Sequence, residues 1–197
     1  MANTKDLLYY IPAGQYGKEG VLALLEQHPE IKFVSLVGID LAGNDTDEKI
    51  PMAAFFDDYE AFFEGRAVQT DGSSVVLTNI ATLNNARVDM WGDPSVNWFV
   101  DYNYENIDEA TGLPTGTLRI PAFLMHNYRY VDSRSILKNS CDYVRAELLS
   151  LIKEHGLPGM PHVKADDVVD IIFTSATELE FWVKTPSRTV TKKELSV

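Results

Sequence analysis

The sequence predicts an α+β fold, in which helices pack on a small mixed sheet. Three observations carry this. Residues 31–40 alternate as a strand and lead through a turn into a second extended run. Residues 52–65 place Phe55, Phe56, Tyr59, Phe62 and Phe63 at helical spacing. Residues 132–155 repeat apolar side chains with the period of a long helix. Strand, hairpin, helix and further strands in that order fit a sheet with helices laid against it.

Each element follows from local chemistry. Residues 1–17, with Tyr9, Tyr10, Pro12, Gly14 and Gly17, read as an irregular arm. Residues 18–28 carry Val21, Leu22, Leu24 and Leu25 and form a short amphipathic helix that Pro29 closes. In the strand at 31–40 both faces are partly apolar, which suits a central strand. Gly43, Asn44 and Asp45 supply turn residues, residues 46–50 pair back, and Pro51 ends the run. The helix at 52–65 is capped by Gly65, and its aromatic stripe reads as core. Residues 66–97 show little periodicity and read as one long loop. Further strands are expected at 96–100 and 117–125, with an exposed polar loop at 106–116. The helix at 132–155 starts at Asp132 or Ser133. It shows one apolar face (Ile136, Leu137, Cys141, Val144, Leu148, Leu151, Ile152) and stops at Gly156. Cys141 on that face reads as a buried structural thiol.

Composition excludes several functions. The formal net charge is -12 over 197 residues, which disfavours nonspecific contact with nucleic acid or an anionic membrane surface. The single cysteine excludes an intrachain disulfide. No apolar run reaches membrane-spanning length, and the N-terminus lacks a signal-peptide pattern, so a cytoplasmic location is expected. Dinucleotide and P-loop glycine motifs are missing. His28, His126, His155 and His162 are scattered without zinc-site spacing. Ser73 and Ser74 lack a nucleophile-elbow context.

Two stretches keep chemical interest. Residues 169–173 and 176–183 read as a strand. On it Glu178, Glu180 and Trp182 share one face while Leu179, Phe181 and Val183 share the other. Two carboxylates one strand step apart repel, and Mg²⁺ or Mn²⁺ would offset that repulsion; an ordinary solvated strand face has the same pattern. The second stretch is Asp71, Gly72, Ser73 and Ser74. A carboxylate beside a glycine turn and two hydroxyls could bind a small cation such as ammonium or take a proton from it; an ordinary Asp-Gly turn has the same letters.

Four segments in order carry a family resemblance. DGSS at 71–74, VDMWGDPS at 88–95, VDSRSILKNS at 131–140 and TELEFWV at 177–183 are similar to F-D-G-S-S, S-D-M-x-L-x-P-D-x-S, D-P-R-x-x-L-K and G-P-E-x-E-F-F. These are segments of glutamine synthetase, most closely of the bacterial type I enzymes. The chain departs from the family after DGSS, where it has Val75, Val76, Leu77, Thr78 and Asn79, and at Gly92, where the family often has proline.

The resemblance implies a β-grasp N-terminal domain followed by the first helix and strand of a catalytic domain. The corresponding division is an N-terminal arm and helix at 1–29, the β-grasp domain at 30–130 and the truncated beginning of the catalytic domain at 131–197. It implies ATP-dependent ligation of glutamate and ammonium through γ-glutamyl phosphate. It assigns Asp71, Ser74 and Asp89 to the ammonium site, and Glu178 and Glu180 to paired Mg²⁺ or Mn²⁺ ions. It further implies a homo-oligomer whose active sites are shared between subunits. Arginines and an adenine site lie past the E-x-E strand in the family, so the chain is expected to be inactive alone. Two alternatives stay open: an assembly or regulatory module that binds a full-length synthetase, and a γ-glutamyl ligase for another amine.

Overall fold

The computed structural model describes residues 7–15, 17–76, 86–178 and 180. It divides into two compact units, Met1–Tyr143 and Val144–Val197. The first is mixed α+β with a mostly antiparallel sheet. In chain order it holds β1 (Tyr10–Ile11), α1 (Lys18–Glu26), β2 (Ile31–Ile39), β3 (Asp45–Pro51) and α2 (Met52–Asp57). A 3₁₀ turn (Tyr59–Phe62) follows, then β4 (Val68–Asp71), β5 (Arg87–Gly92), β6 (Trp98–Ile107), β7 (Pro114–His126) and β8 (Arg129–Tyr130). The long helix α3 (Ser133–His155) runs from the first unit into the second.

The thirteen-residue strand β7 organises the sheet. Its first part pairs with β6 on one side and β2 on the other, giving the order β1-β6-β7-β2-β3. Its last part pairs with β5, which carries β4, and with β8. The β2–β7 pair is parallel and the other pairs among the described residues are antiparallel. Val34 and Leu36 of β2 stand opposite Leu118 and Ile120 of β7 and share one face with Leu124; all five are fully buried, which makes that face the core side of the sheet.

The aromatic stripe packs where the sequence placed it, but by a different backbone. Helix α2 ends at Asp57, and Asp58 leaves the helical region at φ -129° before the 3₁₀ turn begins. Phe55 is fully buried, with ring centroids of Tyr59 and Phe62 at 5.1 and 5.0 Å. Packing around Phe55, more than continuous helical hydrogen bonding, fixes this stretch. Phe63 stacks on buried Trp98 at 5.4 Å. Gly65 is left-handed at φ +67°, and a Cβ there would lie 1.7 Å from Trp91 Nε1, so the glycine lets the indole lie against the backbone.

Several expectations are corrected. The stretch 66–97 contains two paired strands, β4 and β5, with 77–85 outside the described residues. Each strand is only four to six residues long, too short to show periodicity without its partner. The loop at 106–116 shrinks to 108–113, because β6 and β7 extend over its ends. The strand expected at 169–173 and 176–183 is not formed over residues 168–178 and 180, where Val169 and Ile172 are more than 80% exposed. A strand needs a ladder partner, and none pairs with this segment among the described residues. Leu179 and residues 181–183 lie outside them.

Helix α3 forms as expected, but its apolar stripe is not core. Leu137, Val144, Leu148 and Leu151 are exposed, and Cys141 is half-buried, not a buried thiol. Amphipathic periodicity records a face fit for burial; it does not supply the surface that covers it.

Candidate functional site

The site residues of the first unit are positioned by the β4–β5 ribbon. Asp71 pairs in register with Arg87, and Gln69 with Asp89. Directly opposed residues share a face, so Gln69, Asp71, Arg87 and Asp89 stand together on one side. Val68, Thr70, Val88 and Met90 turn to the other side and are buried. Burial of that apolar set fixes the register, since a slip of one residue would exchange the faces.

Asp71 ends β4 and starts a tight 3₁₀ turn, Gly72–Ser74. Its Oδ1 accepts the Ser73 N–H at 2.7 Å. The Ser73 hydroxyl and N–H together hold the Asp71 carboxyl below the usual carboxylate range. The Gly72 N–H donates to the Ala86 carbonyl at 2.7 Å, which ties the turn to the start of β5. Of the two serines, Ser73 bonds the carboxylate, and Ser74 is exposed at the end of the turn.

Asp89 is half-buried and forms an ion pair with Arg87. The Nε to Oδ1 distance is 2.9 Å, and Arg87 Nη2 donates to Oδ2 at 3.4 Å. The Nε contact is an ion-pair approach without hydrogen-bond alignment, which leaves Oδ1 buried and unsatisfied. His126 closes the same region. Its Nδ1 donates to the Arg87 carbonyl at 2.9 Å, and its Nε2 accepts from Asn127 Nδ2 at 2.9 Å, a tautomer assigned from these partners. Asn127 and Tyr128 form the two-residue β7–β8 turn with φ of 49° and 61°. A two-residue hairpin turn with both central φ positive suits asparagine and is costly for tyrosine. Between these residues lies a cavity of about 470 Å³ lined by Ala86, Arg87, Asp89, His126, Asn127 and Tyr128.

A buried polar cluster supports the end of β5. Asp93 accepts the Ser95 N–H at 2.8 Å, the Ser95 hydroxyl at 2.6 Å and Arg134 Nη2 at 2.5 Å. Burial pushes its carboxyl up, but the Ser95 bonds and the Arg134 guanidinium outweigh that and hold it below its ordinary value. Arg134 also lies over the Phe123 ring at 5.0 Å.

Glu178 and Glu180 belong to the second unit, where both are exposed. Among the described residues no group of three or more His, Cys, Asp or Glu side chains is arranged to hold a metal ion. A glutamate pair leaves most positions of a Mg²⁺ ion to water, so the described residues do not by themselves make a metal centre. No helix among them is long and apolar enough to cross a membrane.

Sequence reasoning missed Arg87, His126, Asn127 and Tyr128. The available signal was the period-two spacing of Arg87 and Asp89, which marks one strand face. His126 carries no such signal, because β7 brings it to Arg87 from far along the chain.

The fold and site define a mixed α+β unit that carries two aspartates on one face of a two-stranded ribbon. No protein-family model matches the chain, and a search of curated proteins finds no match. Among solved structures it is similar to a Plasmodium falciparum glutamine synthetase determined by cryo-EM. The TM-score is 0.46 and the identity 15%, over 66% of this chain and 23% of that one. The chain thus spans less than a quarter of that protein's length.

Proposed function

We propose that the chain is the N-terminal part of an ATP-dependent glutamate–ammonia ligase, and that the Asp71 face is the part that holds ammonium. The observation that carries this reading is the β4–β5 register. Two of the four family-like segments, 71–74 and 88–95, place Asp71 and Asp89 on one face. An ionised carboxylate favours a small cation next to it. A carboxyl held below its usual range is a weak base, so Asp71 binds and orients ammonium more readily than it removes a proton. Ammonium has no lone pair, so it first gives up a proton, to Asp71 or to water; the ammonia so formed attacks the acyl carbon and phosphate leaves.

In this reading residues 30–130 of the first unit are the β-grasp domain, and the parallel β2–β7 pair is its central feature. Glu178 and Glu180 supply two of the donors for Mg²⁺ or Mn²⁺ and the remaining donors come from outside the described residues. Such ions, when bound, neutralise charge on a transferring phosphoryl group. The same reading makes the working protein a cytoplasmic homo-oligomer with shared sites.

The test is steady-state kinetics on the protein in which this chain continues into its remaining ligands. Asp71→Asn and Asp89→Asn should each raise the KM for ammonium by about tenfold or more, with the KM for ATP nearly unchanged. The 197-residue chain alone should give no glutamine. An unchanged ammonium KM, or turnover by the chain alone, would overturn the reading. Polyamines competing better than ammonium would move the assignment to a ligase for another amine.

A further inference from the structure

We infer that Asp40 is the positioning residue for the turn at 71–76: its buried carboxylate joins the β2–β3 hairpin loop to the backbone of Val76 and so sets where Asp71 stands. The inference rests on the ammonium-binding reading of that turn for its functional meaning, but not for its geometry.

Asp40 is fully buried at the end of β2. Its Oδ1 accepts the N–H groups of Ala42 and Asn44, each at 2.9 Å. Its Oδ2 accepts Asn44 Nδ2 and the Val76 N–H, each at 3.0 Å. Four donors thus converge on the two oxygens, which is the capacity of a carboxylate. Three of the four come from the hairpin loop itself. The fourth comes from a segment remote in sequence, and the Leu41 N–H returns a bond to the Val76 carbonyl at 3.2 Å. Val75 is buried beside them.

The turn is therefore held at both ends. Gly72 is tied to Ala86 on β5, and Val76 is tied to Asp40 and Leu41. Between these anchors the Val75 N–H donates to the Gly72 carbonyl at 3.2 Å, and Asp71 holds Ser73. With the Asp40 bond lost, the Leu41 N–H bond to the Val76 carbonyl is the remaining hydrogen bond described at that end, so the backbone after Gly72 unwinds more readily and the Ser73 donors that depress the Asp71 carboxyl loosen with it. Asp40 does not touch the outward face; it acts through the backbone.

The chemistry separates this role from simple hairpin support. Asparagine at position 40 has one oxygen and one NH₂. If the NH₂ faced the Ala42 and Asn44 N–H groups, it would oppose two fixed backbone donors. If it faces Val76, it opposes one fixed donor and a side-chain amide that can flip. The second arrangement costs less, so Asp40→Asn keeps the hairpin turn and loses Val76.

The test is amide hydrogen exchange by NMR on the isotope-labelled chain, with parallel titrations of ammonium chloride and sodium chloride. In Asp40→Asn the Val76 amide should exchange about tenfold faster or more, while the β2–β3 ladder amides keep their protection. The ammonium-specific shifts of the Ser73 and Ser74 amides should weaken several-fold. Asn44→Ala removes a different Oδ2 donor and should leave Val76 protected. Unchanged Val76 exchange in Asp40→Asn overturns the inference. So does loss of the β2–β3 ladder protection, which would make Asp40 a hairpin residue only, and so does release of Val76 with an unaltered ammonium response. If the unsubstituted chain shows no response to ammonium beyond that to sodium, the ammonium reading fails, while selective release of Val76 still supports Asp40 as the anchor.

Discussion

Asp132→Ala tests how the sheet and α3 are joined. Asp132 is fully buried. Its Oδ1 accepts the Ser135 N–H at 2.8 Å, and its Oδ2 accepts the Ser135 hydroxyl at 2.9 Å and the Leu124 N–H at 3.1 Å. One side chain therefore caps α3 and satisfies a donor of β7. Loss of an N-cap costs about 1 kcal/mol, and an unsatisfied buried N–H costs roughly 1–3 kcal/mol. Relief from burying a carboxylate offsets part of this, so the net loss is about 2–3 kcal/mol, a large share of the ~5–15 kcal/mol typical of a domain. Urea unfolding followed by circular dichroism measures it. With a slope of roughly 1–3 kcal/mol per molar, the midpoint should fall by about 1–2 M. Asp132→Asn keeps one acceptor and should lose about half as much. A midpoint shift below about 0.3 M for Asp132→Ala would refute the reasoning, since neither the cap nor the β7 bond would then be limiting.

Three further outcomes are expected. Gly65→Ala should lower the melting temperature, because a left-handed alanine costs roughly 1–2 kcal/mol and its Cβ displaces the Trp91 indole; an unchanged melt with unchanged tryptophan fluorescence would sink this. Asp40 and Asp93 are both held below their ordinary carboxyl values, Asp40 because the Asn44, Val76 and Ala42 bonds outweigh its burial. Their stabilisation is therefore full above the unfolded value of about 3.9 and lost as pH falls through the folded values. Melts taken from neutral to acid pH should show stability falling below about pH 4–5, with a shallower fall in Arg134→Met. Tyr102 is held protonated, its hydroxyl pushed up by burial and by the Glu30 charge. It donates to the Leu8 carbonyl at 3.0 Å and lies 3.4 Å from Glu30 Oε1. Tyr102→Phe should cost about 1 kcal/mol and speed amide exchange around β1; equal exchange would discount that link.

What was legible in the sequence follows from which forces are local. The β2–β3 hairpin, the Phe55 stripe, the β7 core and the span of α3 all carry period or turn chemistry in their own residues. Strands β4 and β5 do not, because four to six residues become a ribbon only through their pairing. The segment at 168–178 shows the opposite failure. Val169, Ile171 and Ile172 have strand character, yet that composition forms no ladder without a partner. At the site, Asp71 and Asp89 were readable as letters of a motif. Arg87 and His126 were not, since only the β5–β7 pairing brings the His126 ring to the Arg87 carbonyl. Asp40 was unreadable for the same reason, as its tie to Val76 crosses from one element to another.

The carboxylates of the family-like segments divide by what surrounds them, and the division limits what those segments can mean. Asp93 and Asp132 are buried and bonded to Ser95, Arg134, Ser135 and Leu124. They join β5, β7 and the start of α3, so a fold that needs this junction retains them whatever its chemistry. Asp71 and Asp89 share the outer face of the β4–β5 ribbon, and the register gives no packing reason for two acids there, of which Asp89 lines the cavity. Arg87 neutralises Asp89 in part, while Asp71 is held ionised by the backbone and hydroxyl of Ser73 and forms no ion pair among the described residues. Two of the six carboxylates in those segments, Asp93 and Asp132, are thus accounted for by structure alone. The functional reading stands on the others, and most directly on Asp71, an exposed carboxylate whose charge is maintained by Ser73.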